Sequence, residues 1–176
     1  MSNSNNVRVG VTGSAWVGAT SATAPTSATN SLTGFTDLGY ISADGITETR
    51  DRGTNDIRAW QNSDLVRSVV TDSSATFSFT LLEASLDAVE LYYGAEVDLT
   101  DGSIAVNPAA TGGRKSFVFN VIDGDKVIRL YVPSGEVTAV EPIAYVNGDP
   151  VSFGITVNAY SVGDYSYIRF QSDLVD

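Results

Sequence analysis

A mainly β fold, a β-sandwich or barrel with one flanking α-helix at about residues 85–93, is what this sequence predicts, and three observations predict it. Thr76 to Leu82 alternates, with Phe77, Phe79 and Leu81 on one face and Ser78 and Thr80 on the other, the period-2 pattern of a strand with one buried face. Val151, Phe153, Ile155, Val157 and Ala159 repeat that pattern over a longer run, opposed by Ser152, Thr156 and Asn158. Only once does the period change to that of a convincing helix. Ser85 is placed as a cap, Leu86, Val89 and Tyr93 follow i, i+3, i+7 spacing, and Gly94 is placed to end it.

Taken in order, Val7 to Val11 reads as a short strand within an N-terminal extended arm or loop at about residues 1–36. That segment is dominated by Ala, Thr, Ser, Gly and Asn, with Pro25 among small polar residues. Leu38 to Ile41, a turn at Asp44-Gly45 and Ile46 to Thr49 read as a hairpin. Arg50 to Gln61 carries mixed charges, and Leu65 to Val70 reads as a further strand. Beyond the helix, Asp101-Gly102 and Gly112-Gly113 punctuate the chain. Phe117, Phe119 and Val121 then alternate up to a turn at Asp123-Gly124-Asp125, and Val127 to Val132 completes a hairpin. Val137 to Val140, Ile143 to Val146, a turn at Asn147-Gly148, the Val151 to Tyr160 run and Tyr165 to Phe170 complete the strands, which sum to roughly eight to eleven.

The 176 residues suit a single domain, 1–176, and 43% hydrophobic content with 7 Phe and 8 Tyr supplies one core. There are no cysteines and no histidines, which excludes disulfides, thiolate nucleophiles, Cys/His zinc sites, Ser-His-Asp triads and imidazole bases together. The opening Met1-Ser2-Asn3-Ser4-Asn5-Asn6 does not read as a signal peptide, and no apolar run is long enough for a membrane helix. A soluble protein made in the cytoplasm, with no membrane partner, is the expectation. The net charge of −11, from 21 acids and 10 bases, argues against wrapping nucleic acid by counterion release. An acidic wall can instead keep DNA from sticking as it slides past, within a Debye length of ~8 Å.

Candidate chemistry is sparse. Asp123-Gly124-Asp125 and Asp98-Leu99-Thr100-Asp101-Gly102 bring oxygen ligands together as a calcium loop would, yet neither completes a twelve-residue EF-hand, and Asp and Gly are the residues of ordinary turns. Trp16, Trp60, Tyr92, Tyr93, Tyr165 and Tyr167 could stack on sugars beside a carboxylate pair, but no motif selects a pair. Thr111-Gly112-Gly113-Arg114-Lys115 lacks the length and the following helix of a phosphate loop. No catalytic residue, cofactor or metal is therefore expected.

The distinctive stretch is Glu48 to Gln61, continuing to Arg67. Four of the ten bases, Arg50, Arg52, Arg58 and Arg67, lie between residues 50 and 67, interleaved with Asp51 and Asp56 and followed closely by Trp60. Arginine makes forked, directional pairs with carboxylates, so this stretch can dock on an acidic partner surface in fixed register; a solvated, self-paired loop is the simpler reading. Residues 83 to 101 hold six acids and no base, and residues 133 to 176 hold six acids and only Arg169. Such segregation suits head-to-tail association of identical subunits.

Gly39-Tyr40-Ile41-Ser42-Ala43-Asp44-Gly45-Ile46-Thr47-Glu48, through Arg58-Ala59-Trp60-Gln61 to Thr76-Phe77-Ser78-Phe79-Thr80-Leu81-Leu82-Glu83, resembles the major tail tube proteins of siphophages infecting actinobacteria. Val146-Asn147-Gly148-Asp149-Pro150-Val151-Ser152-Phe153 is similar too. The resemblance implies a self-assembling subunit of hexameric rings stacked into a hollow tail, through which DNA passes without specific binding. It also implies strands joined into an inner barrel, a hairpin or loop reaching the next ring, and terminal arms on neighbours. Expected partners are copies of the chain, a tape-measure protein and tail-end proteins, and the expected location is the virion. Within that picture Arg50, Asp51, Arg52, Asp56, Arg58 and Trp60 are the candidate inter-ring contact, in the region from Ile46 to Leu65. The alternative is a β-sandwich module that binds carbohydrate or a surface.

Overall fold

The computed structural model describes residues 6–174; the first five residues of the expected arm lie outside them. The strands are β1 (Thr12–Gly18), β2 (Phe35–Asp37), β3 (Ile41–Arg58), β4 (Leu65–Leu81), β5 (Val97–Asp98), β6 (Ser103–Ile104), β7 (Lys115–Asp123), β8 (Lys126–Val140), β9 (Phe153–Ala159) and β10 (Ile168–Gln171), with a helix α1 (Leu86–Tyr93) between β4 and β5. The main sheet runs β2-β1-β7-β8-β9-β4-β3, β10 joins β8, and β5-β6 form a separate ribbon. The architecture is the mainly β sandwich with one flanking helix that the period-2 pattern predicts.

One strand makes the sandwich possible. The first half of β8 pairs with β7, from Asp123↔Lys126 to Phe117↔Val132, and also with β10 over Ile128 to Tyr131. Its second half pairs with β9, from Gly135↔Ala159 to Val140↔Ile155. The sheet therefore folds on itself along β8, with β2-β1-β7-β10 on one side of the fold and β9-β4-β3 on the other. The crossing falls at Pro133-Ser134-Gly135, where Pro133 brings no N–H to the ladder and the β7 register slips. A Cβ on Gly135 would stand 2.8 Å from both the Phe117 ring and Val157, so only glycine lets the layers close here.

Between the layers, Phe77 of β4 stacks on Phe119 of β7 at 5.1 Å between ring centres, and Phe79 meets Phe119 edge-on at 5.3 Å. Ala15, Val17, Leu130, Val132, Ile155 and Val157 complete the buried centre. Each large apolar side chain removed from water there contributes on the order of 1.5–3 kcal/mol. Helix α1 closes one flank. Ser85 Oγ accepts from the Ala88 N–H at 3.3 Å, and Gly94, at φ 64°, donates to Glu90 O, so both ends are capped. Ala88 and Leu91 face inward, and Tyr92 lies edge-on to Phe153 at 5.5 Å.

A buried cation fastens the loop between β1 and β2. Arg129 donates through Nε to Asn120 Oδ1 at 2.8 Å and through Nη1 to the carbonyls of Ser27 at 3.1 Å and Asn30 at 2.8 Å. Burial holds its pKa below the ordinary arginine value, and neutral oxygens replace its water.

Three local expectations are corrected. The first strand lies at Thr12–Gly18 and not Val7 to Val11: Ala15 and Val17 meet the opposite layer, whereas Val7, Val9 and Val11 have nothing to cover them and stay exposed. Asp44-Gly45 is not a hairpin turn but a bulge inside β3, because Ile41 and Ile46 flank it and pair with the same strand, at Leu81 and Phe79. Ile143 to Val146 forms no strand; the Asn147-Gly148 turn lies in a surface connection that leaves Tyr145 and Val146 exposed.

Candidate assembly site

β3 and β4 form one long hairpin whose two halves live in different surroundings. The pairing of β4 with β9 ends at Ala75↔Ala159; outward of it, Asp51–Arg58 and Leu65–Ser74 pair only with each other among the described residues. At ~3.3 Å per residue, this free part of the hairpin reaches roughly 25 Å beyond the body. The six residues singled out by charge and aromaticity all lie on this arm or at its root.

Alternation along β3 continues the core-facing row from Ile46 through Glu48, Arg50, Arg52, Asp56 and Arg58, while Asp51 falls on the other face. The site thus gathers Arg50, Arg52, Asp56 and Arg58 on one side and separates Asp51 from them. Arg50 Nε stands 3.5 Å from Glu48 and Arg58 Nη2 stands 4.0 Å from Asp56. Both pairs are solvent-exposed and contribute only ~0–1 kcal/mol. Ser68 Oγ donates to Asp56 Oδ1 at 2.8 Å. Among the described residues Arg52 and Arg67 have no ion pair, so the arm keeps cations to offer a partner.

The tip is a tight turn. Ala59 N–H donates to Asp64 O at 2.8 Å, and Asn62 and Ser63 both adopt left-handed backbone at φ 55° and 56°, the conformation that follows the twist of paired strands. Arg58 Nη1 donates to Ser63 O at 3.1 Å and braces it. Trp60, on this turn, is 100% exposed. Ile57, Leu65, Val66 and Val70 add exposed apolar surface along the arm, which the sequence reading did not assemble because Leu65 to Val70 was a strand with no assigned place. The signal was present: no Gly or Pro separates Leu65 from Leu81, so one strand could run through.

At the root, the Tyr167 hydroxyl donates to the Glu48 carboxylate while its ring meets Phe77 edge-on at 5.2 Å. Burial first, and the Glu48 carboxylate second, push the Tyr167 pKa up, keeping that hydroxyl a donor at neutral pH.

Elsewhere the candidate groups resolve into local structure. Asp98 Oδ1 accepts from Thr100 N at 2.8 Å and Asp101 Oδ1 from Ser103 N at 2.9 Å, shaping the β5-β6 turn; the Thr100 backbone and then its side chain lower the Asp98 pKa, and the Ser103 side chain and then its backbone lower that of Asp101. Asp123-Gly124-Asp125 forms the β7-β8 turn. Among the described residues no group of three or more acidic side chains is placed to hold a metal ion, and no helix is long and apolar enough to cross a membrane. Of the six aromatics considered for sugar stacking, all among the described residues, Tyr92 and Tyr93 are the one pair whose rings touch each other, at 5.0 Å.

The family described as phage tail tube protein matches residues 1–174. Among solved structures, a chain of the virion of a native gene transfer agent particle aligns with TM-score 0.42 and 15% identity, over 76% of this chain and 88% of that chain. A chain of the tail of an empty gene transfer agent particle, computed with helical refinement and C6 symmetry, aligns with TM-score 0.41 and 14% identity, over 73% of this chain and 84% of that one. No curated protein sequence matches.

Proposed function

The chain belongs to the phage tail tube protein family, and from that premise we propose that it builds the hollow tail of a long-tailed phage of an actinobacterial host, as stacked rings of six subunits. It is a structural protein and not an enzyme. The observation that carries the detailed reading is the β3-β4 arm: a fully exposed Trp60 and the arginines of one face stand on a strand pair that extends past the body. Such a surface is costly to leave in water and favourable to bury, since one indole removes 150–250 Å², worth roughly 4–6 kcal/mol before the cost of association is subtracted. The arm is the inter-ring contact, with Arg50, Asp51, Arg52, Asp56, Arg58 and Trp60 meeting an acidic neighbour. Of the expected arm at residues 1–36, Thr12–Gly18 and the loop held by Arg129 belong to this subunit's own body, and the segment ahead of β1 is the part offered to neighbouring subunits.

With −11 per chain, a ring presents a strongly negative wall, and a lumen poor in Lys and Arg lets DNA pass without adhering during ejection. A tape-measure protein inside the growing tube and tail-end proteins are the further partners. Negative-stain electron microscopy at high protein concentration, beside sizing at low concentration, tests this: rings or hollow tubes are expected. A protein that stays monomeric at every concentration, even when seeded with tail-end complex, would count against it. Arg50→Glu, Arg52→Glu and Trp60→Ala variants that all polymerise like the wild type would remove the arm from the contact.

A further inference from the structure

Trp60 is 100% exposed, covered by none of the described residues of its own chain, and a surface on another molecule is the place to seek a receptor for it. A receiving site is present on the body. Between the C-terminal end of α1, the loop after β6 and the end of β8 runs a groove of about 360 Å³, walled by Leu91, Tyr93, Val106, Pro108, Ala110 and Val140. Val106 and Val140 remain about half exposed, at 49% and 45%, although each is the kind of side chain that folding normally covers. Its lining is mostly apolar side chains, which favours an apolar ring over water.

Its electrostatics match the arm. The last turn of α1 carries no basic residue, so the partial negative charge of the helix end is left uncompensated. Glu90 lies in that same turn, and Glu136, at the lip, accepts from the Thr111 hydroxyl at 2.5 Å. From residue 83 to residue 113 the chain holds six acids and no base, and Arg114 and Lys115 follow, Lys115 pairing with Gly135 beside Glu136, so the acidic character belongs to the α1 side of the groove. On the arm, Arg58 precedes Trp60 by two positions and Arg67 lies on the opposite face near the tip, so an indole seated in the groove brings guanidinium groups toward these carboxylates.

We infer that the tip of the β3-β4 arm docks into the α1-β8 groove of a second copy of this chain, with Trp60 between Tyr93, Val106 and Val140 and the arm arginines against the acidic rim. This deepens the tail tube reading and rests on it. The two surfaces are different patches of one molecule, so the contact is head-to-tail. Where each subunit that inserts its tip offers its own groove to a third copy, such a contact closes a ring or extends as a stack.

The test uses the full chain and its lack of cysteine. Gln61→Cys, next to Trp60 on the tip and leaving the indole in place, and Val106→Cys single variants are mixed under mild oxidation at polymerising concentration, with Gln61→Cys mixed with Tyr40→Cys as a control, since Tyr40 lies outside the groove. A disulfide-linked dimer from the first mixture, at least tenfold above the control, is the expected result. In parallel, Val140→Asp places a charge in the groove wall at a position that is 45% exposed, with chemical denaturation to check that the variant keeps its fold. Val140→Asp and Trp60→Ala are each expected to raise the concentration needed for tubes at least tenfold, and the double variant to raise it little further. If Trp60→Ala blocks tubes while Val140→Asp forms them like the wild type, the arm contact stands and the groove is overturned as its receptor. If the wild-type chain forms no tubes even when seeded with tail-end complex and no cross-link appears, the tail tube reading fails and this inference fails with it.

Discussion

The inner and outer halves of the β3-β4 hairpin are made of the same two strands and hold together by the same ladder, yet they stand under different physical demands. Inward of Ala75, β4 has β9 as a second neighbour and places Phe77, Phe79 and Leu81 against the opposite layer. Outward of it, the strands have only each other, and Ile57, Leu65, Val66 and Val70 face water. A two-stranded ribbon gains little by itself, so the inner half stabilises the subunit and the outer half is held in place by it. Changes inward should be felt in folding, and changes outward in association.

The largest expected effect breaks the comparison if it fails. Phe77→Ala should cost about 3–5 kcal/mol of stability, and Trp60→Ala less than ~0.5 kcal/mol, both read by chemical denaturation of the monomer; similar losses for the two would mean that the arm is part of the core. A second contrast sets the buried Arg129 against the exposed Arg52. Arg129→Ala leaves the Asn120, Ser27 and Asn30 oxygens without their donor, for about 1–3 kcal/mol, and should also make the 19–34 loop sensitive to protease. Arg52→Glu should leave both stability and cleavage near wild type while weakening polymerisation.

Two glycines sharpen the same line. Gly135→Ala forces a methyl against Phe117 and Val157 in the closed interior and should cost ~1–3 kcal/mol. The methyl that Gly53→Ala adds has the Asp72 carboxylate as its nearest neighbour, a flexible group facing solvent, and should cost well under that in the same denaturation assay. The smallest effect is a pH dependence away from both halves. Hydrogen bonds to Thr100 lower the Asp98 pKa, and bonds to Ser103 lower that of Asp101. The charged forms therefore favour the folded turn above the ordinary carboxylate range, and that contribution is lost as pH falls through the lowered folded values. NMR titration should show the Thr100 and Ser103 amides shifting only in that acid window, and Asp98→Asn should abolish the Thr100 response while leaving the arm unchanged.

What the sequence determined by itself were features with a local cause. The helix, its Ser85 and Gly94 caps and the Phe77-Phe79-Leu81 face were legible because capping and periodicity act over a few residues. The charge and aromatic content of the site were legible for the same reason: Arg50, Arg52, Arg58 and Trp60 stand close in the chain. That these residues sit on a projecting arm was not legible, since it depends on β9 ending at Ala159, opposite Ala75, while β3 and β4 continue. Only the tertiary structure decided that Asp44-Gly45 bulges instead of turning, that Val7, Val9 and Val11 stay outside the sheet, and that β8 serves both layers through Gly135. Strand pairing joins residues far apart in sequence, so which apolar alternation is buried, and where a strand loses its second neighbour, follow from the partner across the sheet.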